Sequence, residues 1–237
     1  MSDTFDQAYW DNRYGTGDDV WSGAPNPVLV SETLALPVGR ALDIGCGEGA
    51  DAIWLASRGW HVTATDFSAV ALDRAAARSR QAGTDLAVSG SAGTEFDGGD
   101  PAATGPAGSA DNAAIAGRIR WEQHDFTQWT PPAGAFDLVS AQFMHLPSAP
   151  RTVLFRGLAA AVAPGGTLLI VGHDVTDGHH SGHTPPLDLF FTAQEVAALL
   201  NPAQWHVDVA ESRPRVATGA DGASTILTDA ILSARRR

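Results

Sequence analysis

Gly45, Gly47 and Gly49, inside the run ALDIGCGEGADAIWLA (Ala41–Ala56), are the residues whose types and spacing point most directly to chemistry. An apolar run precedes them and a helix-like run follows, so they form a strand-to-helix turn. Glycine there lets a ligand approach the main chain, and the helix N-terminus offers free N–H groups. The spacing is G-x-G-x-G rather than the G-x-G-x-x-G of dinucleotide sites, and Asp43 stands two residues ahead of the first glycine. A carboxylate at that turn repels a pyrophosphate and suits a positive ligand, an ammonium or a sulfonium. Two alternatives stay open on these residues: a nucleotide-linked oxidoreductase, with Asp66 on a dinucleotide ribose, and a cofactor-binding module without catalysis.

A second group is rich in histidine. His173, Asp174, His179, His180 and His183 follow the apolar run Gly166–Gly172, and His145 follows Phe136–Phe143. Both loops leave the carboxyl ends of strands, the ligand-binding edge of open α/β sheets. His173 ends its strand directly and is a candidate base for an oxygen or nitrogen nucleophile; His145 is a second candidate. His179 and His183 have the four-residue spacing of paired metal ligands. That spacing aligns side chains only on a helix, which Ser181-Gly182 opposes, so no metal is expected.

The elements that must position these residues alternate in period from residue 40 onward, the pattern of an α/β fold whose parallel sheet is covered by crossover helices. Strands are expected over Arg40–Gly45, His61–Asp66, Ile119–Asp125, Phe136–Phe143 and Gly166–Gly172. Helices are expected over about Ala50–Arg58, from the N-cap Ser68, and from Ser148 to Val162, ended by Pro164 and Gly165. Thr192 and Glu195 form a capping box. The last two apolar runs flank Gly219–Gly222 and read as a terminal hairpin, so the sheet ends in antiparallel members. Residues 89–114 hold 6 Gly, 7 Ala, four acids and one aromatic. Such a segment buries too little apolar area to offset its ordering entropy and is expected to be a flexible surface insertion. Residues 1–38 look like a helical lid carrying Trp10, Tyr14 and Trp21, on a single domain spanning 1–237.

The 237 residues carry 15 basic and 27 acidic side chains, a net charge of −12, and every cation is Arg. That balance argues against nucleic-acid binding, which needs clustered cations. The run Arg235–Arg237 reads as a frayed tail. One cysteine, Cys46, allows no internal disulfide, and neither a signal peptide nor an apolar span of about 20 residues is present. The expectation is a cytoplasmic protein with no membrane partner.

The stretch around Gly45–Gly49 resembles motif I of the class I S-adenosylmethionine-dependent methyltransferases, in which Cys46 is common. The resemblance runs in order through residues 40–172. It implies Asp66 on the ribose hydroxyls, Phe67 on one adenine face, Asp125 on the adenine amino group with the Phe126 N–H beside it, and Ala141 and Gln142 near the methionine amine. APGGTLLIVG (Ala163–Gly172) resembles the family's turn into strand five. The implied fold is a Rossmann-like seven-stranded sheet of order 3-2-1-4-5-7-6, strand 7 antiparallel, with helices on both faces. Tyr9–Leu29 is similar to the lid of small-molecule methyltransferases of the thiopurine and tellurite-resistance type, which would place Trp10 and Trp21 over the cofactor. The expected activity is methyl transfer from S-adenosylmethionine to a small-molecule thiol, oxygen or nitrogen acceptor.

Overall fold

The computed structural model describes residues 7–17, 20–89, 115–144, 146–175, 187–218 and 224–237. Two short helices open the chain, α1 (Gln7–Gly15) and α2 (Pro27–Thr33). The sheet then alternates with helices: β1 (Arg40–Ile44), α3 (Ala50–Ser57), β2 (His61–Asp66), α4 (Ala69–Ser89), β3 (Ile119–Gln123), β4 (Phe136–Gln142), α5 (Ser148–Ala161) and β5 (Val162–His173). A 3₁₀ turn at Leu187–Leu189, α6 (Ala193–Ala197) and the long hairpin β6 (Trp205–Thr218) and β7 (Ser224–Arg236) complete it.

The seven strands lie in the order β3-β2-β1-β4-β5-β7-β6. All pairs through β5 are parallel, and β7 runs antiparallel to both β5 and β6. The physical reason is the connection: a hairpin reverses direction in a few residues, whereas each parallel pair needs a crossover. The expected strand order and the antiparallel seventh strand are what the chain adopts.

Side-chain alternation along the strands divides the core in two. Leu42, Ile44, Val139, Leu168 and Ile170 pack against Leu154, Phe155 and Leu158 of α5 and Val196 of α6. Ala41, Val62, Ala64, Leu138 and Leu169 pack on the other face against Leu29 of α2 and Ala52, Leu55 and Ala56 of α3. Asp43 alternates with Leu42 and Ile44, so it shares the face of Ala41, beneath α3.

Several local expectations are met by named bonds. Ser68 Oγ accepts the Ala71 N–H, and Thr192 and Glu195 exchange the two bonds of a capping box. Asn26 caps α2, which has Pro27 in its first turn. Several boundaries differ, among them the start of β5, which takes in Val162–Gly165 ahead of the expected Gly166. β3 ends at Gln123, leaving Asp125 in the following turn. β4 ends at Gln142, because Phe143 takes φ +52°, outside the strand region. α4 extends through Ser89, the first residue of the expected insertion; residues 90–114 lie outside the described residues.

The expected frayed tail is overturned. Arg235 and Arg236 belong to β7: Arg235 forks onto Asp208 at 2.8 and 2.9 Å, and Arg236 donates to the carbonyls of Ala160 and Val162 at the end of α5. Terminal charge is retained in the sheet because each guanidinium finds acceptors on a neighbouring element. No helix among the described residues is long and apolar enough to cross a membrane.

Candidate active site

A cavity of about 840 Å³ opens over the carboxyl ends of β1, β2, β4 and β5, and is closed from the side by the N-terminal segment and the β6–β7 hairpin. Gly45, Cys46 and Gly47 form its floor at the head of α3. Gly47 has φ +51°, and a Cβ there would stand 2.9 Å from the Tyr14 hydroxyl; Gly49 has φ +83°, and its Cβ would meet the Trp121 ring at 2.6 Å. Larger side chains would therefore meet both a backbone penalty and a packed neighbour.

Asp66 ends β2, nearly buried, and accepts two backbone N–H groups, Gly47 and Ser68, each at 2.9 Å. Burial raises its pKa, and those two bonds oppose the rise. The carboxylate is thereby fixed on the cavity wall with lone pairs remaining for a diol. Asp43 is not on the wall; it lies behind the turn, fully buried, and its Oδ2 has no hydrogen-bond partner among the described residues. Burial, then Asp51 and Asp66, push its carboxyl well up. Asp51, in the first turn of α3, lines the cavity, accepts the Asn26 N–H at 2.6 Å and is pushed up to about 6 by burial. Cys46 is pushed up by burial and by Asp66, which keeps its thiol protonated.

Arg74 and Arg78 reach Glu48 Oε1 at 2.8 and 3.3 Å. Glu48 Oε2 accepts the N–H groups of Val20 and Trp21 at 3.2 and 3.3 Å. This buried carboxylate thus joins the glycine turn, α4 and the lid. The lid aromatics are ordered by one another: Trp10 stacks on Tyr14 (5.8 Å, 28°), and Trp21 Nε1 donates to the Tyr14 hydroxyl at 3.1 Å. All three line the cavity.

At the far end of the sheet edge, Phe67 and Phe126 line the cavity with ring centroids 6.2 Å apart. Asp125 also lines it, but its carboxylate is held in its own turn by Thr127 and Gln128, which lowers its pKa. Three of its roughly four acceptor positions are used. Gln142 faces the cavity from β4, donates to Ser140 at 2.8 Å, and leaves Oε1 without a partner among the described residues.

Beyond β4 the lining turns apolar, with Phe143, Met144, Leu146 and Ile231, and here His173 enters from the end of β5. Its ring lies 4.8 Å from that of Phe143 and 5.8 Å from Phe190. Arg213, Arg215 and Asp229 reach the same end from the hairpin. His145, His179 and His183 lie outside the described residues.

The structure therefore brings together Gly45, Cys46, Gly47, Asp66, Phe67, Asp125, Phe126, Gln142, Trp10, Trp21 and His173 around one cavity, with Asp43 behind it. Glu48, Asp51, Arg215 and Asp229 were missed by sequence reasoning. A signal existed for Asp229, an acid directly before the apolar run Ala230–Leu232, and for Glu48, an acid inside the glycine turn itself. Asp43 Oδ2 and Gln142 Oε1, without hydrogen-bond partners among the described residues, with the diol-suited Asp66 and the cavity acid Asp51, fit a cationic nucleoside cofactor.

This sheet order, with its antiparallel seventh strand and a cavity over the glycine turn, is the fold of the class I S-adenosylmethionine-dependent methyltransferases. A family model described as a methyltransferase domain matches residues 27–213, most of the chain, and the protein belongs to that family. Probable thiol methyltransferase 2 of Arabidopsis thaliana is 41% identical over 68 residues, 27% of this chain and 30% of that protein. Thiocyanate methyltransferase 1 of Brassica oleracea is 34% identical over 79 residues, 32% of this chain and 35% of that protein. The chain thus spans about a third of the length of these curated relatives. Among solved structures, the N-methyltransferase NodS from Bradyrhizobium japonicum, in complex with S-adenosyl-L-homocysteine, shares the fold with a TM-score of 0.62 at 19% identity, over 98% of this chain and 99% of that one.

Proposed function

We propose that the protein transfers a methyl group from S-adenosylmethionine to a small-molecule acceptor. The observation that carries this reading is a single cavity that joins an acidic, diol-suited end at β1 and β2 to an apolar end at β4 and β5. In it, Asp66 holds the ribose hydroxyls, Phe67, Phe126 and Asp125 the adenine, and the glycine turn with Gln142 the methionine end. Asp43 and Asp51 compensate its ammonium. When bound, the cofactor supplies a methyl group already activated on a sulfonium. The protein's part is to align the acceptor, exclude water and accommodate any proton it carries. Trp10 and Trp21 cover the cofactor, where an aromatic face stabilises a cation by about 0.5 to 2 kcal/mol. His173 is the group placed for an acceptor's proton. The names of the two plant relatives support a soft sulfur nucleophile, and the net charge of −12 supports a small molecule over a nucleic acid. The single free Cys46 supports a cytoplasmic site of action.

Calorimetric titration with S-adenosylhomocysteine tests the cofactor, with binding expected and its absence from a folded sample overturning the reading. Radiolabelled methyl transfer to thiols, thiocyanate, phenols and amines then tests the acceptor. A dinucleotide enzyme would bind NAD in the same titration instead; the carboxylates of Asp51 and Asp66 beside the turn oppose a pyrophosphate.

A further inference from the structure

We propose that Asp229 is a positioning residue for His173, anchored by Arg215, and that the three form a base that takes the proton of a proton-bearing acceptor. The inference rests on the methyltransferase reading above and adds to it a division among acceptors, between those that carry a dissociable proton and those that do not.

The hairpin creates the arrangement. His173 and Asp229 are register partners on the antiparallel pair β5–β7, and Arg213 is the partner of Asp229 on β6. Cross-strand partners share a face of the sheet. His173 Nδ1 accordingly lies 3.9 Å from Asp229 Oδ1. Asp229 is 2% exposed, and its Oδ2 accepts Arg215 Nε at 2.6 Å, so the carboxylate is buried, paired with a guanidinium and fixed. Arg215 also stacks over the Phe143 ring at 5.2 Å, and that ring is itself 4.8 Å from His173. Phe143 holds φ +52°, a conformation rare for a bulky residue, between the two.

Nearby, Arg213 pairs with Glu32 and Glu211, and Asp174 accepts Ser212 Oγ at 2.6 Å. Asp229 faces the imidazole at the cavity wall. The 3.9 Å gap is one that a catalytic hydrogen bond closes when a complex forms. A carboxylate at Nδ1 favours the tautomer with its proton there, leaving Nε2 as the proton acceptor.

In the step so assigned, the acceptor's X–H proton passes to His173 as the lone pair on X forms the bond to the methyl carbon. The electron pair of the broken carbon–sulfur bond stays on sulfur. The positive charge of the sulfonium ends on the imidazolium, which returns the proton to water. An acceptor without a proton needs none of this.

The test uses the full chain with two probes, 2-mercaptoethanol and sodium thiocyanate, and the variants H173Q, D229N and R215Q. At pH 7 the first two variants are expected to lose about 10²- to 10⁴-fold in kcat with the alkanethiol. The same variants are expected to lose at least about tenfold less with thiocyanate than with the alkanethiol, and the alkanethiol rate recovers as pH rises toward the thiol's own pKa. ¹⁵N NMR of the histidine ring in the protein without acceptor reads the positioning directly. Wild type is expected to hold His173 protonated at Nδ1, and D229N to lose that preference. R215Q, on a half-exposed residue, gives the same NMR change in smaller degree should D229N fail to fold. An equal loss with both probes, no loss with the alkanethiol, methylation of neither probe by wild type, or a tautomer indifferent to Asp229 and Arg215 would each overturn the proposal. Failure to bind S-adenosylhomocysteine would instead overturn the reading beneath it.

Discussion

The Glu48 carboxylate accepts the backbone N–H of Trp21 at 3.3 Å, across 27 positions of the chain. Its other oxygen is held by Arg74 at 2.8 Å, so one buried side chain fastens the lid to the glycine turn and to α4. Removing it takes an acceptor from two backbone donors and two guanidiniums at once. Glu48→Ala is expected to destabilise the protein by about 2 to 4 kcal/mol. It should also free the N-terminal segment for proteolysis. Glu48→Gln keeps an acceptor for the lid and should retain lid protection while losing the ion pairs. Urea denaturation and limited proteolysis read the two effects separately.

Gly47 and Gly165 both take positive φ, but only Gly47 has a neighbour where a Cβ would go, the Tyr14 hydroxyl at 2.9 Å. Gly47→Ala is expected to weaken S-adenosylhomocysteine binding by at least about tenfold. Gly165→Ala, with nothing within 4 Å, should cost about 1 kcal/mol of stability from backbone strain and leave binding unchanged. Calorimetry and thermal melts distinguish them.

Asp51, pushed up to about 6, makes stability and cofactor binding respond to pH in opposite directions. A carboxyl with a raised folded pKa binds its proton more tightly when folded. The free protein should therefore lose stability as pH rises from about 4 through 6. Asp43, raised in the same direction, adds to the trend. The ionised form compensates a cation, so S-adenosylmethionine affinity should climb across pH 5 to 7. Asp51→Asn should flatten both curves. Melts with and without ligand across that range would reveal parallel behaviour if the assignment is wrong.

Arg151 is buried at 7% exposure and donates to the carbonyls of Leu146, Asp188 and Phe190, with its guanidinium over the Phe191 ring. It fixes the two segments that flank the apolar end of the cavity. Arg151→Met fills the volume but leaves three carbonyls without a donor, at an expected cost of about 2 to 4 kcal/mol. Acceptor KM should rise more than the dissociation constant of S-adenosylhomocysteine. Equal changes in both would show that Arg151 supports the whole cavity rather than its acceptor end.

Much of this protein is legible locally. The strand-turn-helix at Ala41–Ala56, the cap at Ser68, the capping box at Thr192 and Glu195, and the terminal hairpin each depend on neighbours within a few positions. The α/β class and the antiparallel end of the sheet followed from these, whereas the full strand order and the role of the acid at the end of β2 came from the resemblance to the methyltransferases. Asp125 was found as a cavity residue, yet its engagement by Thr127 and Gln128 comes from the turn it begins, one strand boundary away from where periodicity placed it.

What the sequence by itself determined, then, is the order of elements and the glycine turn with the acids near it, because period, capping and glycine spacing are local properties of the chain. The acceptor end was decided only by tertiary structure. Arg215 and Asp229 come within 2.6 Å through hairpin register, His173 meets Asp229 through pairing of β5 with β7, and Glu48 meets Trp21 through folding of the lid. Contacts between residues tens of positions apart leave no periodic trace. Register sets them, and the burial that makes each one matter exists only once the sheet has closed over it.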